Sequence, residues 1–196
     1  YTVIAPRYDR WFAPPVAVPG KETPTPSSAA ALVVQHRRDG AAVVIDVGGG
    51  YGGGVVEHLK GNGIVTVAFN GANAGMGRTK DRSLGFVNKR AEAWWRLREA
   101  LDPDQPGGSP LALPDDAALT GDLTAPTFDV GPRGILLEDK DAIKARLGRS
   151  PDRGDAVVMA WSEGQAALRR RLGGSPNGER QAYANVGYAD MKRRKR

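Results

Sequence analysis

Three aspartates stand where carboxylate chemistry could be assembled. Asp46 ends the apolar run Ala41 to Val47, and Asp152 and Asp155 lie three residues apart in the segment Asp152 to Trp161. The run reads as a strand and the segment as a helix, so the first carboxylate sits at a strand's C-terminal end. Side chains three apart on a helix share one face, with Cβ atoms ~5–6 Å from each other. Both can therefore reach one ion. A strand-end aspartate brought against the pair makes an oxygen-rich site, and the chain has no cysteine. Such a donor set suits Mg²⁺ or Mn²⁺, and two ions ~3.5–4 Å apart clamp the attacking and leaving oxygens of a phosphodiester. Asp152 also has a purely structural reading, because an acid in the first turn of a helix is favoured by the dipole. Arg149 and Arg153 flank the acidic pair; they would hold the phosphates of a strand being cut, or pair with Asp152 or Glu138. The two histidines, His36 and His58, read as surface or packing residues, and Asp9 as a solvated turn residue.

The second feature is a glycine turn. Six of the seven residues from Gly48 to Gly54 are glycine, which formally satisfies the dinucleotide fingerprint G-x-G-x-x-G. That fold holds a ribose with an acid about twenty residues further on, at the end of the next strand. Here the next strand ends Ala68-Phe69-Asn70. The run Val44-Ile45-Asp46-Val47-Gly48-Gly49-Gly50 more closely resembles the first motif of S-adenosylmethionine methyltransferases, and the same missing acid counts against it. No glycine loop ends in Gly-Lys-Ser/Thr, so a phosphate loop of the ATPase type is absent.

The elements that must position these residues follow from periodicity and breakers. Tyr1 to Ala5, Trp11 to Ala13 and Val16 to Val18 read as a meander of two or three strands around a turn at Tyr8-Asp9-Arg10. Ser28 is placed to cap a helix through Arg38 that stops at Asp39-Gly40. Ala41 to Val47 has the unbroken apolar character of a strand covered on both faces. Strand, glycine turn, helix to Leu59 and strand Ile64 to Phe69 make a βαβ crossover. Phe86 to Leu101 is an amphipathic helix with Trp94 and Trp95 on its core side. Asp115 to Leu123 is a short helix, and Thr127 to Val130 with Ile135 to Glu138 a hairpin. A helix over Lys140 to Leu147 follows, and then the last helix, with Ser150 as its N-cap and Pro151 at its first position.

Composition limits the classes of function. With 196 residues and 40% hydrophobic content, the chain can bury a core in one domain without disulfides. It has no apolar run long enough to span a membrane and no signal peptide. Lys and Arg number 28 against 22 acids, a net charge of +6. From Gln165 to Arg196 there are nine Lys/Arg against two acids, so the tail carries +7 and the rest of the chain −1. The division expected is a domain over 1–163 and a basic, flexible tail over 164–196 ending in MKRRKR. Arg193, Arg194 and Lys195 would attract nucleic acid electrostatically; the alternative is a solubilising terminus.

Arg149-Ser150-Pro151-Asp152-Arg153-Gly154-Asp155-Ala156-Val157-Val158-Met159-Ala160 closely resembles the closing motif of the nuclease domain in the large terminase subunits of tailed phages and prophages. The hairpin at Arg133-Gly134-Ile135, the stretch Glu138 to Lys144 and the stretch Phe86 to Trp95 are similar to that family as well, so the resemblance spans 1–163. It implies a ribonuclease H-like α/β fold, a central mixed sheet flanked by helices, and two-metal hydrolysis of concatemeric viral DNA. Asp46 would match the family's acid on the fourth strand and Asp155 the acid on the last helix, with Asp152 as its supporter. Double-stranded DNA would be the substrate, Mg²⁺ or Mn²⁺ the cofactor, the terminase small subunit and portal protein the partners, and the host cytoplasm the location. The family's further aspartate belongs on a first strand upstream of Tyr1, so the chain is expected to lack that strand and to be part of a longer protein. The other readings are a methyltransferase using the glycine turn and a non-catalytic DNA-binding fragment in which the carboxylates are structural.

Overall fold

A computed structural model describes residues 1–171, with side chains through Gly164. The chain opens with β1 (Thr2–Ile4), β2 (Arg7–Tyr8), β3 (Trp11–Phe12) and β4 (Val16–Val18). The β2–β3 hairpin is inserted between β1 and β4, which pair antiparallel with Val3 opposite Ala17. Helix α1 (Pro26–His36) begins three residues earlier than its sequence indicates. Its N-cap is Thr25, and Ser28 is the reciprocal member of a capping box, a box in which each side chain satisfies the other's backbone N–H.

The crossover forms as expected. Strand β5 (Val43–Asp46), helix α2 (Tyr51–Gly61) and strand β6 (Thr66–Phe69) make a parallel βαβ unit in which Asp46 stands opposite Phe69. The alternation of side chains along a strand decides which layer each β5 residue meets. Val43 and Ile45 pack on Ala29, Ala30, Val55 and Leu59 of α1 and α2. Val44 packs on the opposite cluster of Phe12, Phe69, Trp94, Leu97, Leu119, Val157 and Val158. Helices thus cover both faces of β5, yet its residues stay half-buried and Asp46 is exposed.

The remaining elements are α3 (Lys89–Leu101), α4 (Ala117–Thr124), β7 (Phe128–Gly131), β8 (Gly134–Leu137), α5 (Lys140–Leu147) and α6 (Asp152–Arg171). Asn88 caps α3, Asp116 caps α4 and Asp139 caps α5, each accepting from first-turn N–H groups. Trp94 is buried in the larger core, whereas Trp95 packs edge-on against Phe128 with Arg98 over its ring. Helix α6 continues through Arg171, past the boundary expected at 163.

The strands form a mixed α/β arrangement of small ladders in place of one continuous sheet: β1–β4, β2–β3, β5–β6 and β7–β8. Both β1 and β5 pack against α6, but among the described residues no ladder joins them.

Candidate active site

The site grows from the end of β5. Asp46 follows Val44 by two residues and so faces the same layer, toward α6. Its Oδ1 accepts the backbone N–H of Gly48 at 2.9 Å, which holds the carboxylate at the strand's tip. Helix α2 starts immediately afterwards because glycine lets it come close. A Cβ on Gly52 would overlap the carbonyl oxygen of Asp46, and Gly50 at the N-cap has φ +80°. The glycine run is therefore explained largely by packing and turn geometry.

Asp155 reaches the same place from α6. Its side chain is only 12% exposed, and its Oδ1 accepts the indole N–H of Trp94 at 3.1 Å. Lys140, the first residue of α5, sets its Nζ 2.7 Å from Asp155 Oδ2 and 3.9 Å from Asp46 Oδ2. One ammonium group thus bridges the two carboxylates. Asp155 Oδ2 is buried without a directional hydrogen bond, so its contact with Lys140 is a charge pair. Arg90 completes the cluster, with Nε 3.9 Å from Asp155 Oδ1 and Nη1 donating to the Glu138 carbonyl at 2.7 Å. Its Nε and Nη2 are buried with no hydrogen-bond acceptor. Burial pushes the Arg90 guanidinium below its usual value, and Asp155 opposes that shift; a guanidinium remains charged under such conditions. Two carboxylates and two cations leave the cluster neutral.

The other expected residues lie elsewhere. The Asp152 carboxylate is 3.4 Å from the α-amino nitrogen of Tyr1 and shares no partner with Asp46 or Asp155. Arg149 pairs with Asp122 and donates through Nη2 to the Ala118 carbonyl at 3.0 Å. Arg153 Nε is 3.7 Å from Asp116 Oδ2. Both arginines are thus engaged with acids of α4 and its cap, neither with Asp152 nor with Glu138. Glu138 instead binds Arg146 and the Thr127 N–H. His58 is exposed near the end of α2, His36 ends α1 half-buried, and Asp9 is exposed in its turn with φ +51°. Arg193, Arg194 and Lys195 lie outside the described residues.

Lys140 and Arg90 escape sequence reasoning as site residues. Each is a cation in the first turn of a helix, Arg90 beside Lys89 in α3 and Lys140 at the start of α5, where a cation is ordinarily a solvated surface residue. The capping of α6 also differs from expectation. Ser150 makes no bond to the helix N–H groups; the carboxylate of Asp122 takes the N–H of Arg153 at 2.9 Å and of Gly154 at 3.2 Å.

Two carboxylates converging on one cation, one of them with a buried oxygen that accepts no hydrogen bond, are a donor set that fits a hard divalent ion. They fit one ion with water in the remaining positions. Among the described residues no third acid or histidine joins them.

Neither a family model nor a curated protein sequence matches the chain. Its structure is similar to the nuclease domain of the large terminase subunit gp2 of bacterial virus Sf6, with TM-score 0.57 and 21% identity over 79% of each chain. The chain has the fold of a terminase nuclease domain. Within this terminase-nuclease fold, the end of β5 and the first turns of α6 bring Asp46 and Asp155 together across Lys140, although they are more than a hundred residues apart in sequence.

Proposed function

We propose that this chain is the metal-dependent endonuclease domain of a phage DNA-packaging terminase large subunit, cutting double-stranded DNA. The observation that supports it most directly is the convergence of Asp46 and Asp155 on one cation at the meeting of strand tip and final helix. A divalent ion bound there would supply charge stabilisation at the phosphodiester and a water made nucleophilic at neutral pH. Asp46 and Asp155 would hold it. The Gly48 N–H fixes the Asp46 carboxylate and the Trp94 indole fixes that of Asp155, so neither has to be ordered when the ion arrives. Asp152 lies on the same helix as a supporting acid. Arg149, Arg153 and the tail cations Arg193, Arg194 and Lys195 belong to the DNA-binding side of this reading, with the two tethered arginines the less available.

The domain would extend from its expected 1–163 to the end of α6 at Arg171, with the basic tail after it, and would act in the host cytoplasm beside the terminase small subunit and portal protein. Among the described residues no helix is long and apolar enough to cross a membrane. No observation favours the methyltransferase, since packing accounts for the closest glycines of the turn.

The test is nicking of supercoiled plasmid with Mn²⁺ and with chelator. Asp46→Asn and Asp155→Asn are each expected to lower metal-dependent nicking by at least ~100-fold, with circular dichroism unchanged, because each removes charge the ion requires. Folded variants that nick as the wild type does would end the assignment.

A further inference from the structure

We infer that buried Asp122, paired with the half-exposed Arg149, is a positioning device for the carboxylate site, fixing the rotation of α6 about its axis and with it the aim of Asp155. The inference rests on the metal reading above. Asp122 lies on α4 and is completely buried. One of its oxygens meets Arg149 Nη1, and the other accepts the first-turn N–H groups of Arg153 and Gly154. Arg149 in turn donates to the carbonyls of Ala118 on α4 and Ser150 just before α6. Arg153 Nε adds a looser contact, 3.7 Å from Asp116. The start of α6 is therefore tied to α4 by a side chain thirty-one residues away.

Gly154 shows how closely the parts meet. A Cβ on it would lie 3.0 Å from the Asp122 Cβ and 3.0 Å from the Trp94 ring. The next residue is Asp155, whose carboxylate accepts the N–H of the same Trp94 ring. Helices α3, α4 and α6 thus touch at one point, adjacent to the functional acid.

A local cap would have satisfied the same N–H groups more simply. Ser150 stands beside the helix start and makes no such bond, while a carboxylate has been taken wholly out of water to do it. Burying a carboxylate is a poor route to stability, because its desolvation offsets most of what its partners return, but it favours one arrangement over its neighbours. A cap on the helix's own chain turns with the helix. One anchored on α4 does not, so it resists the rotation that would carry Asp155 away from Asp46.

The decisive measurement is Mn²⁺ affinity of the chain at 10 °C, by electron paramagnetic resonance of the free ion, with folding followed by thermal melts. Asp122→Asn keeps the shape but removes the charge and leaves one acceptor oxygen for the two sets of donors, Arg149 and the α6 N–H groups. It should bind Mn²⁺ about tenfold more weakly, as loss of groups outside the ligand shell commonly does. Val55→Ala, in the α1–α2 cluster on the opposite face, lowers Tm without touching α6 and should leave the affinity unchanged. Ser150→Ala should do the same. If Asp122→Asn does not fold, Arg149→Met, which keeps the backbone contacts of Asp122, should weaken binding about threefold.

Wild-type affinity in folded Asp122→Asn, with binding lost in Asp155→Asn, would overturn the positioning role and leave the metal site standing. An equal loss of affinity in Val55→Ala would reduce Asp122 to a stability residue and likewise overturn it. No saturable binding by the wild-type chain would overturn the metal reading and the positioning role together.

Discussion

Lys140 occupies the point between the two carboxylates where a divalent ion would sit, with Nζ 2.7 Å from one and 3.9 Å from the other. An ion entering there has to displace it. Removing the ammonium leaves Asp46 without this cation and Asp155 with Arg90 at 3.9 Å as its remaining charge partner, which raises the attraction for any cation that can replace it. The side chain of Lys140 is 44% exposed, so the pairing is screened and its loss is worth at most ~1 kcal/mol. Lys140→Met is accordingly expected to bind Mn²⁺ more tightly by up to about fivefold, and to lose some thermal stability in chelator that Mn²⁺ restores. Calorimetric titration of the two proteins checks this; weaker binding by the variant would show that the lysine helps to build the site.

At the scale of elements, the glycine turn separates glycines that packing requires from those it does not. Gly52 lies where any Cβ would overlap the Asp46 carbonyl, whereas a Cβ on Gly53 meets nothing within 4 Å. Both are inside α2. Alanine is favoured over glycine in a helix interior by ~0.5–1 kcal/mol, so Gly53→Ala should stabilise the protein by about that amount. Gly52→Ala should destabilise it by at least ~2 kcal/mol, as overpacking against backbone does, and should weaken the site by pushing α2 off the tip of β5. Urea denaturation midpoints of the two variants distinguish them. Equal effects would mean that the turn has room to shift.

For the whole molecule, the charge is divided unevenly between a nearly neutral body and a basic end. Residues 172–196 contain six Lys/Arg against two acids, and cutting after Arg171 spares helix α6. Removing them should weaken binding to duplex DNA and lower the steepness of its salt dependence, since each phosphate neutralised adds ~0.9 to the slope of log affinity against log salt. Sequence preference should not change, because such charge reads phosphates and not base edges. Fluorescence anisotropy across a salt series checks both, and an unchanged slope would make the tail a passive terminus.

Local order was open to reading in the residues themselves. The βαβ crossover followed from an apolar run, a glycine turn and a second run, because strand and helix periods are written along the chain. Hairpin β7–β8 followed from its breakers, and the placement of Asp46 at a strand tip and Asp155 in the first turn of the last helix from the same local patterns. What the chain order does not carry is which distant groups meet. The shift of the α1 cap from Ser28 to Thr25 turned on a local reciprocal pair of hydrogen bonds, but the cap of α6 came from Asp122 on another helix. Arg149 and Arg153, adjacent in sequence to the acidic pair, turned toward α4. Lys140, which no spacing marks, came between the carboxylates, and Arg90 came against Asp155. Tertiary packing made these choices because a buried charge takes the partner that the fold brings within reach, whatever its place in the chain.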